Sequence, residues 1–253
     1  MVGAVQQARA VTFDGSYDGF LCVIFAHYYD GVQPMAIQTQ SQLTLFADDA
    51  LHIETCAEKA ARVARGLRNK ISEDAAGNVY YAFHSGDEGR FAPLFEYVKL
   101  GFKLGHMIDS HLHEDCVRAV HKLARHVGRE AHLLYGFCRF AETTNGVFYC
   151  VVTPKNDVLH FLANHFSQRF MNQQWIIHDK HRNMAAVYDG REYIITGVPH
   201  NTAVEYAEGE DEIQELWVTF FTTLAIEARK NPKLQRQLLP LYFRKNMTEF
   251  TKI

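Results

Sequence analysis

An α+β fold, with a mixed, mainly antiparallel sheet of about five strands and helices packed around it, is predicted by three features of residues 137–196. Phe137, Arg139 and Ala141 alternate with Cys138, Phe140 and Glu142, and Thr144-Asn145-Gly146 then leads into the β-branched and aromatic run Val147–Val152. That pattern is a hairpin, because Asn-Gly tolerates the positive φ of a tight turn. Val158, Leu159, Leu162, Phe166 and Phe170 recur at helical spacing. Trp175–Arg182 starts as an apolar strand and ends in titratable residues, and Arg191–Thr196 pairs back through Asp189-Gly190.

The hairpin's second strand has too little polarity for a solvated face, so it is expected to be central. Pro154-Lys155-Asn156-Asp157 should open the following helix, with Asn156 or Asp157 as N-cap. His165 and Arg169 stand four apart on that helix and share one face. In the next strand Trp175, Ile177 and Asp179 point one way, and Ile176, His178 and Lys180 the other.

N-terminal to this segment, Val11–Phe13 reads as a strand, Asp14-Gly15-Ser16 as a turn, and Ser16 as the cap of a helix over Tyr17–Tyr29. Leu43–Phe46 and Leu51–Ile53 read as short strands about Asp48-Asp49. Thr55-Cys56-Ala57-Glu58 has the form of a capping box. Further helices are expected over 79–83, 91–102 and 116–134, and the longest over 210–229, stopped by Asn231-Pro232. The 253 residues suit one domain, or subdomains at 1–110 and 111–253.

Hydrophobic content of 47% and charged content of 22% are ordinary for a globular chain. The five cysteines form no Cys-x-x-Cys pair, so reduced thiols are expected. No secretory leader and no span long enough for a bilayer stands out, which predicts a cytoplasmic protein without membrane partners. Net charge is −3, too low for nucleic-acid binding by bulk attraction. The charge is uneven: residues 1–110 carry 9 Lys/Arg against 13 Asp/Glu, and residues 111–253 carry 17 against 16. The run Ala228–Met247 holds six basic residues and no acid, and Arg118, Lys122, Arg125 and Arg129 form a helical stripe. Such stripes can track phosphates.

Dinucleotide, phosphate-loop, nucleophile-elbow and His-Glu-x-x-His motifs are absent, and the 14 histidines are scattered. The cluster Asp109, His111, His113, Glu114, Asp115 and Cys116 reads as a loop entering a helix, its acids complementing the helix dipole. Neither a metal nor a cofactor is expected.

The chain resembles an uncharacterised family of DNA-metabolism proteins encoded beside a radical-SAM protein similar to spore photoproduct lyase. A related domain is fused to uracil-DNA glycosylase-like proteins. Most of the chain carries the resemblance, from Thr12-Phe13-Asp14-Gly15-Ser16 and Lys70-Ile71-Ser72 to Arg229-Lys230-Asn231-Pro232-Lys233-Leu234-Gln235 and Thr248-Glu249-Phe250. It is strongest at residues 136–142, 163–170 and 175–179. Leu239-Pro240-Leu241-Tyr242-Phe243-Arg244 departs from the Met-Pro-x-Arg-Tyr-Trp expected there, which weakens a stacking role for this tail. The resemblance implies DNA repair or a related process and supplies no reaction.

These residues support three readings. In the first, the protein engages single-stranded or damaged DNA beside the radical-SAM partner. Arg139, Arg169, Lys180, Arg182 and Arg229 hold phosphates with help from His165, Trp175 or Tyr149 stacks on a base, and Glu142, Asp179 and His165 are the acid–base candidates. In the second, the same charges are buried ion pairs of a non-enzymatic scaffold. In the third, the protein is an enzyme on a small nucleotide or phosphorylated substrate. The first reading requires the site residues to converge on one cleft, and it expects Lys59 and Arg62 on the N-terminal side to play no part.

Overall fold

The computed structural model describes residues 9–40, 50–199 and 203–252, except for the Glu227 side chain. The chain forms two compact units, Met1–Gly128 and Arg129–Ile253. The strand expected at 43–46 and the turn at Asp48-Asp49 lie outside the described residues.

The first unit is built on a parallel three-stranded sheet, whose strands over 11–13 and 51–52 match the sequence reading and whose strand over 34–39 has no counterpart in it. Strand β1 (Arg9–Phe13) lies between β2 (Pro34–Thr39) and β3 (Leu51–His52). Helix α1 (Tyr17–Tyr29) makes the first crossover. Ser16 caps it as expected, its Oγ accepting from Gly19 N at 2.9 Å. The Asp14 carboxylate accepts from Ser16 N (2.9 Å), Ser16 Oγ (2.7 Å) and Thr55 Oγ1 (2.8 Å). These bonds outweigh partial burial and hold its pKa below the ordinary value. A Cβ at Gly19 would come within 2.3 Å of Asp14 Oδ1, so this knot requires glycine.

Helix α2 (Ala57–Gly66) lacks the expected capping box, because Thr55 is bonded to Asp14 and the N-cap, Cys56, makes no side-chain cap bond. The helix widens into a π-turn at Leu67–Ile71, closed by Ser72 N donating to Leu67 O at 3.1 Å. Ser72 then caps α3 (Glu73–Phe83), and α4 (Phe91–Leu104) comes next. Phe13, Phe20, Phe83 and Phe91 interlock in the core with centroid separations of 5.2–6.3 Å.

The boundary between the units falls within α5 (Asp115–Phe137), which at 23 residues is the longest described helix. Phe137 therefore belongs to a helix instead of the hairpin. The second unit has the expected α+β form: a five-stranded sheet in the order β4 (Phe140–Glu142), β5 (Phe148–Val152), β6 (Trp175–Asp179), β7 (Met184–Tyr188), β8 (Tyr193–Gly197). Only β5 and β6 are parallel; the other pairs are antiparallel. Gly146 turns the first hairpin with φ of 75°.

Helix α6 (Leu159–Arg169) is the crossover between β5 and β6. Phe166 meets Phe140 at 5.0 Å, and Phe140 meets Trp175 at 6.5 Å, so α6 covers the sheet face that carries Trp175 and Ile177. The expected Asn156 or Asp157 cap is replaced by Val158, which makes no side-chain cap bond. The turn before the helix is instead fixed by buried Glu130, which accepts from Lys155 N (2.9 Å), Asn156 N (2.8 Å), Asn156 Nδ2 (2.6 Å) and Tyr242 Oη (3.2 Å).

Helix α7 spans Glu210–Thr223, shorter than the 210–229 expected, and a separate turn occupies 227–229. Ile213, Leu216, Phe220 and Leu224 remain exposed on it. Short helices α8 (Pro232–Leu238), α9 (Leu241–Arg244) and α10 (Thr248–Thr251) complete the unit. No described helix is long and apolar enough to cross a membrane.

Candidate functional site

The polar residues of the second unit fall into separate clusters. Arg139 precedes β4 and reaches Glu249 of α10. Its Nη2 and Nε donate to the Glu249 carboxylate at 2.6 and 3.1 Å, and Trp217 Nε1 adds a third bond at 3.1 Å. The guanidinium also lies 5.2 Å from the Trp217 ring. Burial raises the Glu249 pKa, but these donors overcome it and leave the carboxyl below its ordinary value. Arg139 is thus an internal counter-ion, not an open phosphate ligand.

Asp179 ends β6 and is fully buried. It accepts from His181 N (2.9 Å), Arg182 N (3.3 Å) and Arg182 Nη1 (2.9 Å). Arg182 also donates to Pro154 O (3.2 Å) and Lys155 O (2.6 Å). The pair pins the 180–183 turn to the segment before α6, and neither Asp179 as acid–base group nor Arg182 as phosphate ligand is exposed for the role expected of it. Lys180 beside them is exposed.

Glu142 stands at the opposite end of the sheet. It pairs with Phe148, while Asp179 pairs with Val152, a separation of about 13 Å along the strands at roughly 3.3 Å per residue. Its backbone N–H donates to buried Glu210 at 3.0 Å. The two carboxylates therefore do not share a cleft, contrary to the convergence expected. On α6, His165 stacks on Tyr135 at 4.1 Å and 14°, and burial, then the Arg169 charge, lowers its pKa. Arg169 is exposed.

Trp175 corrects the stacking expectation. It is fully buried and packs on Tyr188 at 5.1 Å and 21°, which leaves no ring face for a base. Tyr149, the alternative, lies on the other sheet face, only 8% exposed, with its hydroxyl 2.5 Å from His178 Nδ1. The His178 Nε2 atom is buried without a hydrogen-bond partner among the described residues. Burial, then Lys180, depresses the His178 pKa against the opposing effect of Asp179, so the imidazole is neutral near pH 7. Sequence reasoning placed His178 on this face but had no signal for its pairing with a tyrosine on the neighbouring strand.

Besides Arg169 and Lys180, exposed cations stand in the acid-free run. Arg229, Lys233, Arg236 and Lys245 are exposed, and none has an acidic partner among the described residues. Arg229 borders a groove of about 940 Å³ between the end of α7, α8 and α10, whose walls include Phe221, Leu224, Leu234 and Phe250. Asp109 of the first unit, part of the His-rich cluster, accepts from Tyr97 Oη and lies 2.6 Å from His121 Nε2.

A family model described as a domain of unknown function, DUF4130, matches residues 88–249. No curated protein and no solved structure matches the chain.

Proposed function

The chain belongs to the DUF4130 family, and from that premise we propose that it is a DNA-repair or DNA-metabolism protein that binds single-stranded or damaged DNA and acts beside a radical-SAM protein similar to spore photoproduct lyase. The observation that carries this reading is the exposed set Arg229, Lys233, Arg236 and Lys245 in the acid-free run 228–247, of which Arg229 lines a groove walled partly by Phe221 and Phe250. Separated cations next to aromatic rings suit a flexible strand, whose phosphates and bases can be held independently. The sequence resemblance supplies the process and the partner. With Asp179 and Glu249 buried and paired, binding is the activity this unit supports best.

The test is a fluorescence titration of labelled single-stranded and duplex oligonucleotides with the intact protein at low salt. Tighter binding of the single strand, weakened in Lys233→Ala and Arg236→Ala, is expected. Equal affinity for both forms, or variants that bind like the wild type, would remove the reading.

A second reading has its own observation. The exposed stripe Ile213, Leu216, Phe220 and Leu224 on α7 favours a scaffold that docks another protein. Co-purification with the radical-SAM protein that is lost in Leu216→Asp without loss of DNA binding would separate the two.

A further inference from the structure

A second groove, of about 680 Å³, lies wholly within the first unit, between α1, α2, the π-turn and α4. Its walls combine aromatic rings with cations. Tyr28 and Tyr29 are 45% and 54% exposed, high values for two consecutive large aromatic residues. Phe25 stacks on Tyr29 at 4.4 Å and 22°, and the Arg62 guanidinium lies over the Tyr29 ring at 4.3 Å. Tyr28 meets Phe102 of α4 edge-on at 5.3 Å.

Arg62, Arg65 and Lys70 line the groove, all exposed and all without an acidic partner among the described residues. No acid is part of the lining. Asp30 and Glu96, on or next to the same helices, face Lys59 at 3.8 Å and Lys99 at 2.9 Å. An ordinary solvated helix face mixes both signs of charge, whereas this wall carries one sign over aromatic rings.

The π-turn adds an independent observation. Its extra residue rotates the downstream chain by about 100° relative to a continuous α-helix. Asn69 and Lys70 lie within that turn and reach the groove lining. The Asn69 amide makes no hydrogen bond among the described residues, so both its donor and acceptor are free to read a polar edge.

We propose that this groove binds a nucleotide unit, its base stacked on the plane of Tyr28 or of the Arg62 guanidinium, its phosphate held by Arg65 and Lys70, and its base edge met by Asn69. A guanidinium already lying on a tyrosine ring presents the flat surface on which bases stack. The shared chemistry is an aromatic base joined to phosphate, supplied either by a single strand or by a free nucleotide. The site is independent of the second unit's cations.

The test uses the intact protein, a 12-residue oligodeoxynucleotide carrying 5-iododeoxyuridine, and AMP as the free nucleotide. Photo-cross-links are expected at Tyr28 or Tyr29. Tyr28→Ala should weaken binding roughly 5- to 100-fold, the usual loss for one stacked base. Arg65→Ala, an exposed position that leaves the fold intact, should flatten the salt dependence by about 0.7 in log–log slope. Displacement by AMP at the concentration at which AMP itself binds assigns the groove to free nucleotides; displacement only by oligonucleotide assigns it to a strand. Cross-links confined to residues 229–245, with Arg65→Ala binding like the wild type, would overturn the groove and leave the second-unit reading standing. Cross-links confined to the groove, with Lys233→Ala unaffected, would do the reverse. Failure of both probes to bind overturns the proposal.

Discussion

Replacing Arg139 by Met strands a carboxylate inside the second unit. Glu249 is 2% exposed and receives three side-chain hydrogen bonds, two of them from Arg139. Methionine preserves much of the side-chain volume but leaves the buried anion without its cation, held by the Trp217 side-chain N–H and a backbone N–H. Breaking a buried pair from one side costs about 3–5 kcal/mol, a large part of the roughly 5–15 kcal/mol that stabilises a domain. At a urea m-value near 2 kcal/mol/M, the midpoint should fall by about 2 M.

The assay is favourable because both tryptophans, Trp175 and Trp217, lie in the second unit. Intrinsic fluorescence therefore reports that unit's unfolding. In the wild type the Glu249 pKa is below its ordinary value, so its contribution is complete above the unfolded pKa and is lost as pH falls through the folded one. In Arg139→Met the carboxyl is buried without its cation, its pKa rises, and the variant's deficit should shrink as pH falls from 7 toward 4. Arg139→Met/Glu249→Leu should recover most of the loss. A single-variant cost below about 1 kcal/mol, or a deficit that does not change with pH, would refute the assignment of Arg139 as an internal counter-ion.

The same geometry has other consequences. Glu130→Ala leaves Lys155 N and Asn156 N without their acceptor and should cost about 3 kcal/mol by urea unfolding. His178, whose folded pKa is depressed, should titrate below 6.5 in an NMR pH series; because the unfolded chain takes up the proton first, its contribution to stability should be lost as pH falls from 7 through 6.5 toward the folded value. Trp175 should resist quenching by acrylamide while Trp217, 38% exposed, is quenched, as a comparison of Trp217→Phe with the wild type would show.

The parts of the fold legible in the sequence are those with local signatures. Asn145-Gly146 marks its hairpin because the turn needs positive φ, Ser16 caps the helix beginning at Tyr17, and the apolar period of 158–166 buries one face of α6. Local patterning misleads where a distant partner decides. Thr55 looks like a helix cap until Asp14, 41 residues earlier in the chain, takes its hydroxyl. Arg139 looks like a free cation until Glu249, 110 residues later, pairs with it. The aromatic and basic residues of the first-unit groove come from residues 24–29, 62–70 and 102, each bland alone. Arg62, expected to be inert, lies within it.

The most direct measurement of the central claim is the salt dependence of single-strand binding by the intact protein. Net charge of −3 rules out bulk attraction, so affinity must come from local cations. A log–log slope of a few units is expected, reduced by about 0.7 in each of Lys233→Ala and Arg236→Ala. A flat salt dependence, or no detectable binding at low salt, would contradict the account.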